Sequence, residues 1–177
     1  MTLRTRSLEE TDERHHGEAR PRFYPRLRRT NRAGVEGLGD PEMVMQWWGP
    51  DGFTSPSARM DFREGGSSLV CMRAPFFLGG QDMYNTWTYR RIVPNERIEY
   101  LLSFADKDGS KVDPAAIGML PGTPNDVRNL VTFEDLGDGK TGLTVTEYDW
   151  TVGQMMEMSR MGMEQCLSKM AAIFAKA

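Results

Sequence analysis

Acidic residues on predicted strands are the groups in this sequence best placed for acid–base chemistry. A carboxyl group turned into an apolar interior has a raised pKa, so it can take up and release a proton near neutral pH. Glu147 shares the alternating phase of Leu143 and Val145, which predicts an inward side chain. Alternation argues against most of the other strand acids, which are Glu99, Glu134 and Asp149. Glu147 is therefore our single catalytic candidate, and the alternative is a solvated or ion-paired residue at a strand end.

Histidine and cysteine add little to this chemistry. His15 and His16 are the only histidines, they are adjacent, and no third ligand lies nearby, so we predict neither a metal site nor a histidine base. Cys71 and Cys166 are the only cysteines and lie far apart in apolar stretches, a pattern typical of buried reduced thiols. We expect no metal and no cofactor.

The elements that must position these residues follow an α+β order. Asp40, Pro41 and Glu42 form a strong helix start, and Gly49-Pro50 ends that short helix. A long amphipathic helix is predicted at about residues 152–176, where apolar residues recur at three-and-four spacing. Between the helices, period-two patterns predict strands at 58–63, 67–73, 83–93, 96–106, 127–136 and 141–150, with a long loop at 106–126. The helices should lie on one face of a curled antiparallel sheet.

Length and charge exclude several classes of protein. A chain of 177 residues is most simply one domain, and no apolar run approaches the roughly 20 residues of a membrane span. Residues 1–36 hold nine arginines against six acids, so residues 37–177 carry a net charge of −6. An acidic body argues against binding to a phosphate backbone. We expect a cytoplasmic protein with no nucleic-acid or membrane partner.

Four segments carry a resemblance to a known family. They are DPEMVMQWWGPDGFT at 40–54, MDFREGGSSLVCMR at 60–73, TYRRIVPNERIEYLLSF at 88–104 and VTFEDLGDGKTGLTVTEY at 131–148, followed by the closing helix. In this order they resemble the AHSA1-like family, the single-domain relatives of the C-terminal domain of the activator of Hsp90 ATPase. That family belongs to the SRPBCC superfamily, which is also called START or Bet v1-like. The resemblance covers about residues 40–175.

The resemblance implies a helix-grip fold, in which a curved antiparallel sheet wraps around the long C-terminal helix with a cavity between them. The adjacent Trp47 and Trp48 would then close one end of the grip. Methionines concentrated on the last helix, opposite aromatic strand residues, would make the cavity plastic and apolar. The predicted lining is Trp48, Met60, Phe62, Cys71, Trp87, Tyr89, Phe104, Phe133, Val145, Met155, Met158, Gly162 and Cys166.

The first 36 residues depart from the family. Relatives open with a strand and helix similar to TRxFDAPxxxVWxAWT directly before DPE, whereas this chain reads RFYPRLRRTNRAGVEGLG. Codons for FYPRLRRTNRAGVEGLGD can be chosen so that the frame one base later reads STRVFDAPIELVWKAWA. We therefore hypothesise that residues from before Phe23 to about Gly39 are read out of frame, and the alternative is a naturally divergent leader. As written, residues 1–36 should be poorly ordered and leave an unpaired sheet edge, and residues 37–177 should form the domain.

Three functions remain open from the sequence. The leading interpretation is a protein that binds a small apolar or aromatic molecule in the cavity, because an apolar lining comes without a convincing catalytic set. The second is an interaction protein that stimulates an Hsp90-type chaperone, as the family name implies. The third is a cyclase- or hydrolase-type enzyme that uses Glu147 in the same cavity. The sequence does not decide between a monomer and a homodimer.

Overall fold

Two short helices, α1 and α2, lie between the first two and the remaining strands of the sheet. The computed structural model describes residues 22–23, 26–27 and 31–176, with side chains described from residue 35 to residue 175. α1 spans Asn31–Gly39 and α2 spans Pro41–Trp47. The Asp40 carboxylate accepts a 2.9 Å hydrogen bond from the backbone N–H of Met43, which satisfies one of the free donors at the start of α2. This N-cap confirms the predicted helix start.

In the described part of the chain, eight strands form one antiparallel sheet in the order β1-β8-β7-β6-β5-β4-β3, and β2 also pairs with β8. Their bounds are β1 Arg22–Phe23, β2 Arg26–Leu27, β3 Ala58–Arg59, β4 Ser67–Arg73, β5 Asp82–Val93, β6 Arg97–Ala105, β7 Asp126–Gly137 and β8 Lys140–Glu147. Short 3-10 turns lie at Phe76–Leu78 and Pro114–Ile117. Strands β4 to β8 follow one another through the sheet as the predicted hairpins require.

The core lies between this sheet and the long helix α3, which spans Gln154–Lys176. Burial alternates along β7, where Val127, Val131 and Phe133 are buried and their neighbours are partly exposed. Met163 and Leu167 of α3 belong to the same buried hydrophobic cluster as these strand residues. The architecture has the α+β order that the sequence predicts and is the helix grip that the family resemblance implies.

Two strands are shorter than predicted, for local reasons. β3 stops at Arg59, and beyond it the backbone N–H of Asp61 donates to Ser68 Oγ at 3.0 Å instead of continuing a strand ladder. β8 stops at Glu147, because Asp149 takes a left-handed φ of +73° and its carboxylate pairs with Arg128 at 2.6 Å. A positive φ in a residue other than glycine ends extended pairing.

The N-terminal region differs from our expectation of an unpaired edge. β1 and β2 pair with β8, with Arg22 opposite Thr146 and Arg26 opposite Gly142, and α1 is nine residues long. Strand pairing uses backbone groups that every residue except proline carries in full, so it places little demand on the side chains. Residues 1–21, 24–25 and 28–30 of the segment that was expected to be poorly ordered lie outside the described residues.

Candidate functional site

A row of four inward side chains crosses the middle of the sheet. Tyr89 on β5 pairs with Tyr100 on β6, which pairs with Asn129 on β7, which pairs with Glu147 on β8. All four are buried. Directly opposite residues on neighbouring strands lie about 5 Å apart, so the row places hydroxyl, amide and carboxyl groups side by side beneath α3.

Glu147 stands at one end of this row with 2% of its surface exposed. Its Oε2 accepts hydrogen bonds from Trp150 Nε1 and from Ser159 Oγ of α3, both at 3.1 Å. Burial raises the pKa of Glu147 to about 7, and these two hydrogen bonds oppose the rise. The sequence prediction of an inward side chain is therefore consistent with the structure, and the carboxyl group can exchange a proton near neutral pH.

Asn129, the neighbour of Glu147 in the row, has one end of its amide unpaired. Its Nδ2 donates to the carbonyl of Val127 at 3.1 Å, whereas its buried Oδ1 has no partner among the described residues. The bond to Val127 fixes the orientation of the amide, because a flipped group would set two acceptors against each other. Asn129 therefore presents a free acceptor inside the protein.

Three tryptophans pack together beside the row. The ring centroids of Trp48 and Trp87 lie 4.8 Å apart, and those of Trp47 and Trp87 lie 6.2 Å apart. Trp47 Nε1 donates to the carbonyl of Gly37 at 2.8 Å. The buried Nε1 groups of Trp48 and Trp87 have no hydrogen-bond partner within the described part of the chain. Buried indole N–H groups usually find an acceptor, so these two are exceptions.

Two of these tryptophans, three residues of the row and Cys166 of α3 form one assembly, which we call the central cluster. It comprises Trp48, Trp87, Tyr100, Asn129, Glu147 and Cys166. The ring of Trp87 lies 5.5 Å from that of Tyr100. Burial raises the pKa of Tyr100 well above its ordinary value, and the charges of Glu147 and Cys166 raise it further. Burial also raises the pKa of the Cys166 thiol to about 11, so this cysteine is an unreactive neutral group.

A cleft of about 520 Å³ opens at another part of the grip, near the C-terminal end of α3. It is lined by Val35, Glu36, Gly39, Asp40, Pro41, Met43, Phe62 and Phe174. Phe62 joins the cleft to the row, since its ring also contacts Tyr89 edge-on at a centroid distance of 5.0 Å. A second cleft of about 400 Å³ lies between β3, β4 and the Asp108-Gly109 turn and has a more polar lining.

Most residues of the predicted cavity lining lie in or against the core. Trp48, Trp87, Tyr89, Phe133, Val145, Met155 and Cys166 belong to the buried hydrophobic cluster, and Met60 and Phe62 are partly buried against it. These nine residues therefore belong to, or pack against, one buried core. Their role as a ligand lining stays a prediction.

Four other residues of that predicted lining lie elsewhere. Cys71 is buried on the face of β4 opposite Val70, beside Tyr84. Phe104 is only partly buried, because it lies near the end of β6. Met158 is 47% exposed on the outside of α3. A Cβ on Gly162 would lie 3.3 Å from Pro50, so this glycine accommodates the loop after α2 instead of a ligand.

Sequence reasoning missed Asn129, Ser159 and Trp150 as partners of the site. Asn129 carried a usable signal, because it shares the alternating phase of Val127 and Val131 and a polar residue in such a phase faces the interior. Ser159 and Trp150 carried none, since their contacts with Glu147 depend on the turn that follows β8 and on the rotation of α3.

Metal and membrane sites find no support in the described residues. No group of three or more histidine, cysteine, aspartate or glutamate side chains in this part of the chain could hold a metal ion. Within the same residues, none of the helices combines the length and the apolar character needed to cross a bilayer. The two cysteines are free and buried, as the sequence predicted.

Comparison with known proteins agrees with this geometry. The family model described as activator of Hsp90 ATPase homolog 1-like protein matches residues 36–175. No curated protein matches the chain.

Solved structures show the same fold at low sequence identity. A protein from Chromobacterium violaceum is 24% identical, with a TM-score of 0.68 over 88% of this chain and 96% of its own. The AHSA1 protein from Silicibacter pomeroyi is 19% identical, with a TM-score of 0.66 over 89% and 98% of the two chains. A protein from Arthrobacter aurescens is 21% identical, with a TM-score of 0.69 over 88% and 86%.

Proposed function

The chain belongs to the activator of Hsp90 ATPase homolog 1-like family, and we propose that it binds a small hydrophobic or aromatic molecule between α3 and the sheet. One observation carries the proposal: three buried polar atoms, Trp48 Nε1, Trp87 Nε1 and Asn129 Oδ1, have no partner in the described structure. Leaving a buried donor or acceptor unpaired costs about 1–3 kcal/mol. A bound molecule that pairs with these atoms would recover that free energy.

The surroundings of these atoms suit an aromatic guest. Trp87 contacts Trp47, Trp48 and Tyr100, so flat rings surround the unpaired groups on the sheet side. Flexible thioethers of α3 belong to the same core, since Met155, Met163 and Met170 are buried in one hydrophobic cluster with these rings. Thioether side chains change rotamer at little cost, which lets such an interior adapt its shape to a ligand.

Titration with N-phenyl-1-naphthylamine tests this function, because the probe is neutral and fluoresces strongly only in apolar surroundings. We expect a saturable rise in its emission together with quenching of tryptophan emission by energy transfer. Native mass spectrometry of the complex should show one added probe for each chain. A titration without saturation, together with an unchanged native mass, would overturn the proposal.

Matched variants locate the binding site. Cys166→Leu adds volume inside the central cluster and should weaken probe binding, whereas Cys71→Leu adds the same volume on the other face of the sheet and should not. Met43→Trp fills the cleft, and Met161→Trp adds the same ring at a half-exposed position on α3. Loss of binding in the Met43 variant alone would place the ligand in the cleft and contradict an interior site.

A second candidate function is stimulation of an Hsp90-type chaperone, and an exposed apolar loop favours it. Phe76, Phe77 and Leu78 are 95%, 80% and 57% exposed at the 3-10 turn between β4 and β5. Contiguous exposed apolar side chains of this kind mark protein-binding surfaces.

The ATPase activity of the chaperone tests this second function. Chaperone ATPase turnover should rise when the unchanged protein is added and should not rise with a Phe76→Ser, Phe77→Ser variant. Met161→Ser is the matched control, and an unchanged turnover with the native chain would exclude this function.

A further inference from the structure

We infer that the ligand of the central cluster is a neutral aromatic alcohol of the phenol type, whose hydroxyl lies among Trp48, Trp87 and Asn129, and that aromatic carboxylates are excluded. This inference rests on the proposed function and specifies the chemistry of the bound molecule. It follows from the kinds of polar atom that lack partners and from the charge beside them.

The unpaired atoms match the hydrogen-bonding capacity of a hydroxyl group. An indole N–H can only donate and a side-chain amide oxygen can only accept, so the cluster offers two donors and one acceptor. A hydroxyl has two lone pairs that accept and one hydrogen that donates. A bound hydroxyl therefore carries both the acceptor and the donor capacity that these atoms lack, and the rings of Trp87 and Tyr100 offer contacts for the aromatic ring that bears it.

Charged groups fit the same place poorly. Glu147 is the cross-strand neighbour of Asn129, so a carboxylate bound there would lie close to a second acid in an apolar interior. The hydrogen bonds to Glu147 come from a hydroxyl and an indole, which carry no positive charge to offset the repulsion. An ammonium group accepts no hydrogen bond and would leave both indole donors unpaired.

Three probes with the same ring system separate these chemistries: naphthalene, 2-naphthol and 2-naphthoate. We expect 2-naphthol to bind about tenfold more tightly than naphthalene, which corresponds to about 1.4 kcal/mol, and 2-naphthoate to bind more weakly than either. In a ¹H–¹⁵N spectrum, 2-naphthol should move the indole resonances of Trp48 and Trp87 downfield. Those of Trp47 and Trp150 should move less, because these indoles already donate to Gly37 and Glu147.

Substitution of the acceptor provides the matched control. Asn129→Leu removes Oδ1 at similar volume and should abolish the preference for 2-naphthol over naphthalene. Asn85→Leu changes another buried asparagine, on β5, and should leave the preference unchanged. If the Asn129 variant does not fold, the indole shifts of the unchanged protein decide the question.

The outcomes distinguish this inference from the proposed function. If naphthalene and 2-naphthol bind equally well, or if Asn129→Leu keeps the preference, the ligand is not a phenol and interior binding still holds. If 2-naphthoate binds most tightly, the exclusion of acids is wrong. If none of the probes binds and no indole resonance moves, the proposed function itself fails.

Discussion

The central cluster and the cleft at α1 differ in almost every property that a binding site needs. The cleft is open and has a volume of about 520 Å³, and its lining offers mainly apolar carbon and the acids Glu36 and Asp40. The central cluster is buried, and it contains the unpaired polar atoms and the raised pKa of Glu147. The difference teaches that this open cleft and the polar atoms that could recognise a ligand lie in separate places.

The central cluster and the cleft also take their residues from different parts of the chain. The central cluster comes entirely from residues 48–166, inside the segment that matches the family, whereas Val35, Glu36 and Gly39 of the cleft come from α1. α1 carries three glycines among nine residues, and it has no acid in its first turn and no base in its last. Under the frameshift hypothesis, the alternative frame places tryptophan at position 35, where an indole would occupy the cleft.

The largest expected effect is the loss of a ring from the central cluster. Trp87→Ala should lower the free energy of unfolding by about 4 kcal/mol, because a large, fully buried side chain leaves a cavity in contact with three other rings. Phe62→Ala at the cleft should cost about half as much, since this ring is only partly buried. Urea denaturation measures both variants, and equal losses would remove the energetic distinction between the two regions.

The pH dependence of stability should identify the buried acid. The pKa of Glu147 is about 7 in the folded state against an ordinary value of 4.5, so the folded state holds this proton more tightly than the unfolded state does. The free energy of unfolding should therefore fall by about 3 kcal/mol as the pH rises from about 4.5 to about 7. The groups facing Glu147 are Trp150, Ser159, Tyr100 and Cys166, which are all neutral in this range.

Glu147→Gln isolates this contribution. The variant keeps the acceptor oxygen for Trp150 and Ser159 but cannot ionise, so it should lack the decline between pH 4.5 and pH 7. Denaturant midpoints of the two proteins across this pH range provide the measurement. Parallel curves would show that the pKa of Glu147 is the same in the folded and unfolded states, and the burial argument would then be wrong.

Replacing residues 23–39 with STRVFDAPIELVWKAWA tests the region of the cleft. Three helix glycines would be lost from α1, and each costs about 1 kcal/mol relative to alanine. A Cβ at position 37 would lie 2.7 Å from Met170, and one at position 39 would lie 2.8 Å from Phe62, so both side chains must shift. We therefore expect the chimera to be more stable by only about 1 kcal/mol. Thermal and urea unfolding compare the two proteins, and the gene reread from an independent clone tests the frameshift directly. A less stable chimera and an unshifted gene would support the divergent leader.

An equally small effect is expected at the N-cap of α2, which lies in the lining of the cleft. Asp40→Ala should lower the free energy of unfolding by about 1 kcal/mol, because the Met43 N–H loses its acceptor. Asp40→Asn keeps an acceptor and should cost much less. Equal losses for the two variants would show that the charge of Asp40, and not its cap, stabilises this junction.

The sequence predicted the fold wherever the signal was local and periodic. The cap at Asp40, the alternation along β7 and the long apolar stripe of α3 each depend on neighbouring residues, and all three are confirmed. The predicted lengths of β3 and β8 were wrong, because the end of a strand depends on single contacts such as the hydrogen bond from Asp61 N–H to Ser68 Oγ. Strand propensity describes single residues and therefore does not predict such contacts.

The site was predictable to a smaller extent. The inward phase of Glu147 could be read from Leu143 and Val145, but its partners on α3 and after β8 could not. Met158 and Gly162 were misplaced because a run rich in methionine hides which face of a helix is buried. Unpaired atoms such as Asn129 Oδ1 emerge only when all surrounding groups have been placed in three dimensions.

The indole region of a ¹H–¹⁵N spectrum tests the central claim most directly, because the protein has four tryptophans with different hydrogen-bond states. On titration with 2-naphthol, we predict saturable downfield shifts for Trp48 and Trp87, with smaller changes for Trp47 and Trp150. Four unmoved indole resonances, alongside shifts of backbone amides around Val35 and Met43, would place the ligand in the cleft and contradict the account.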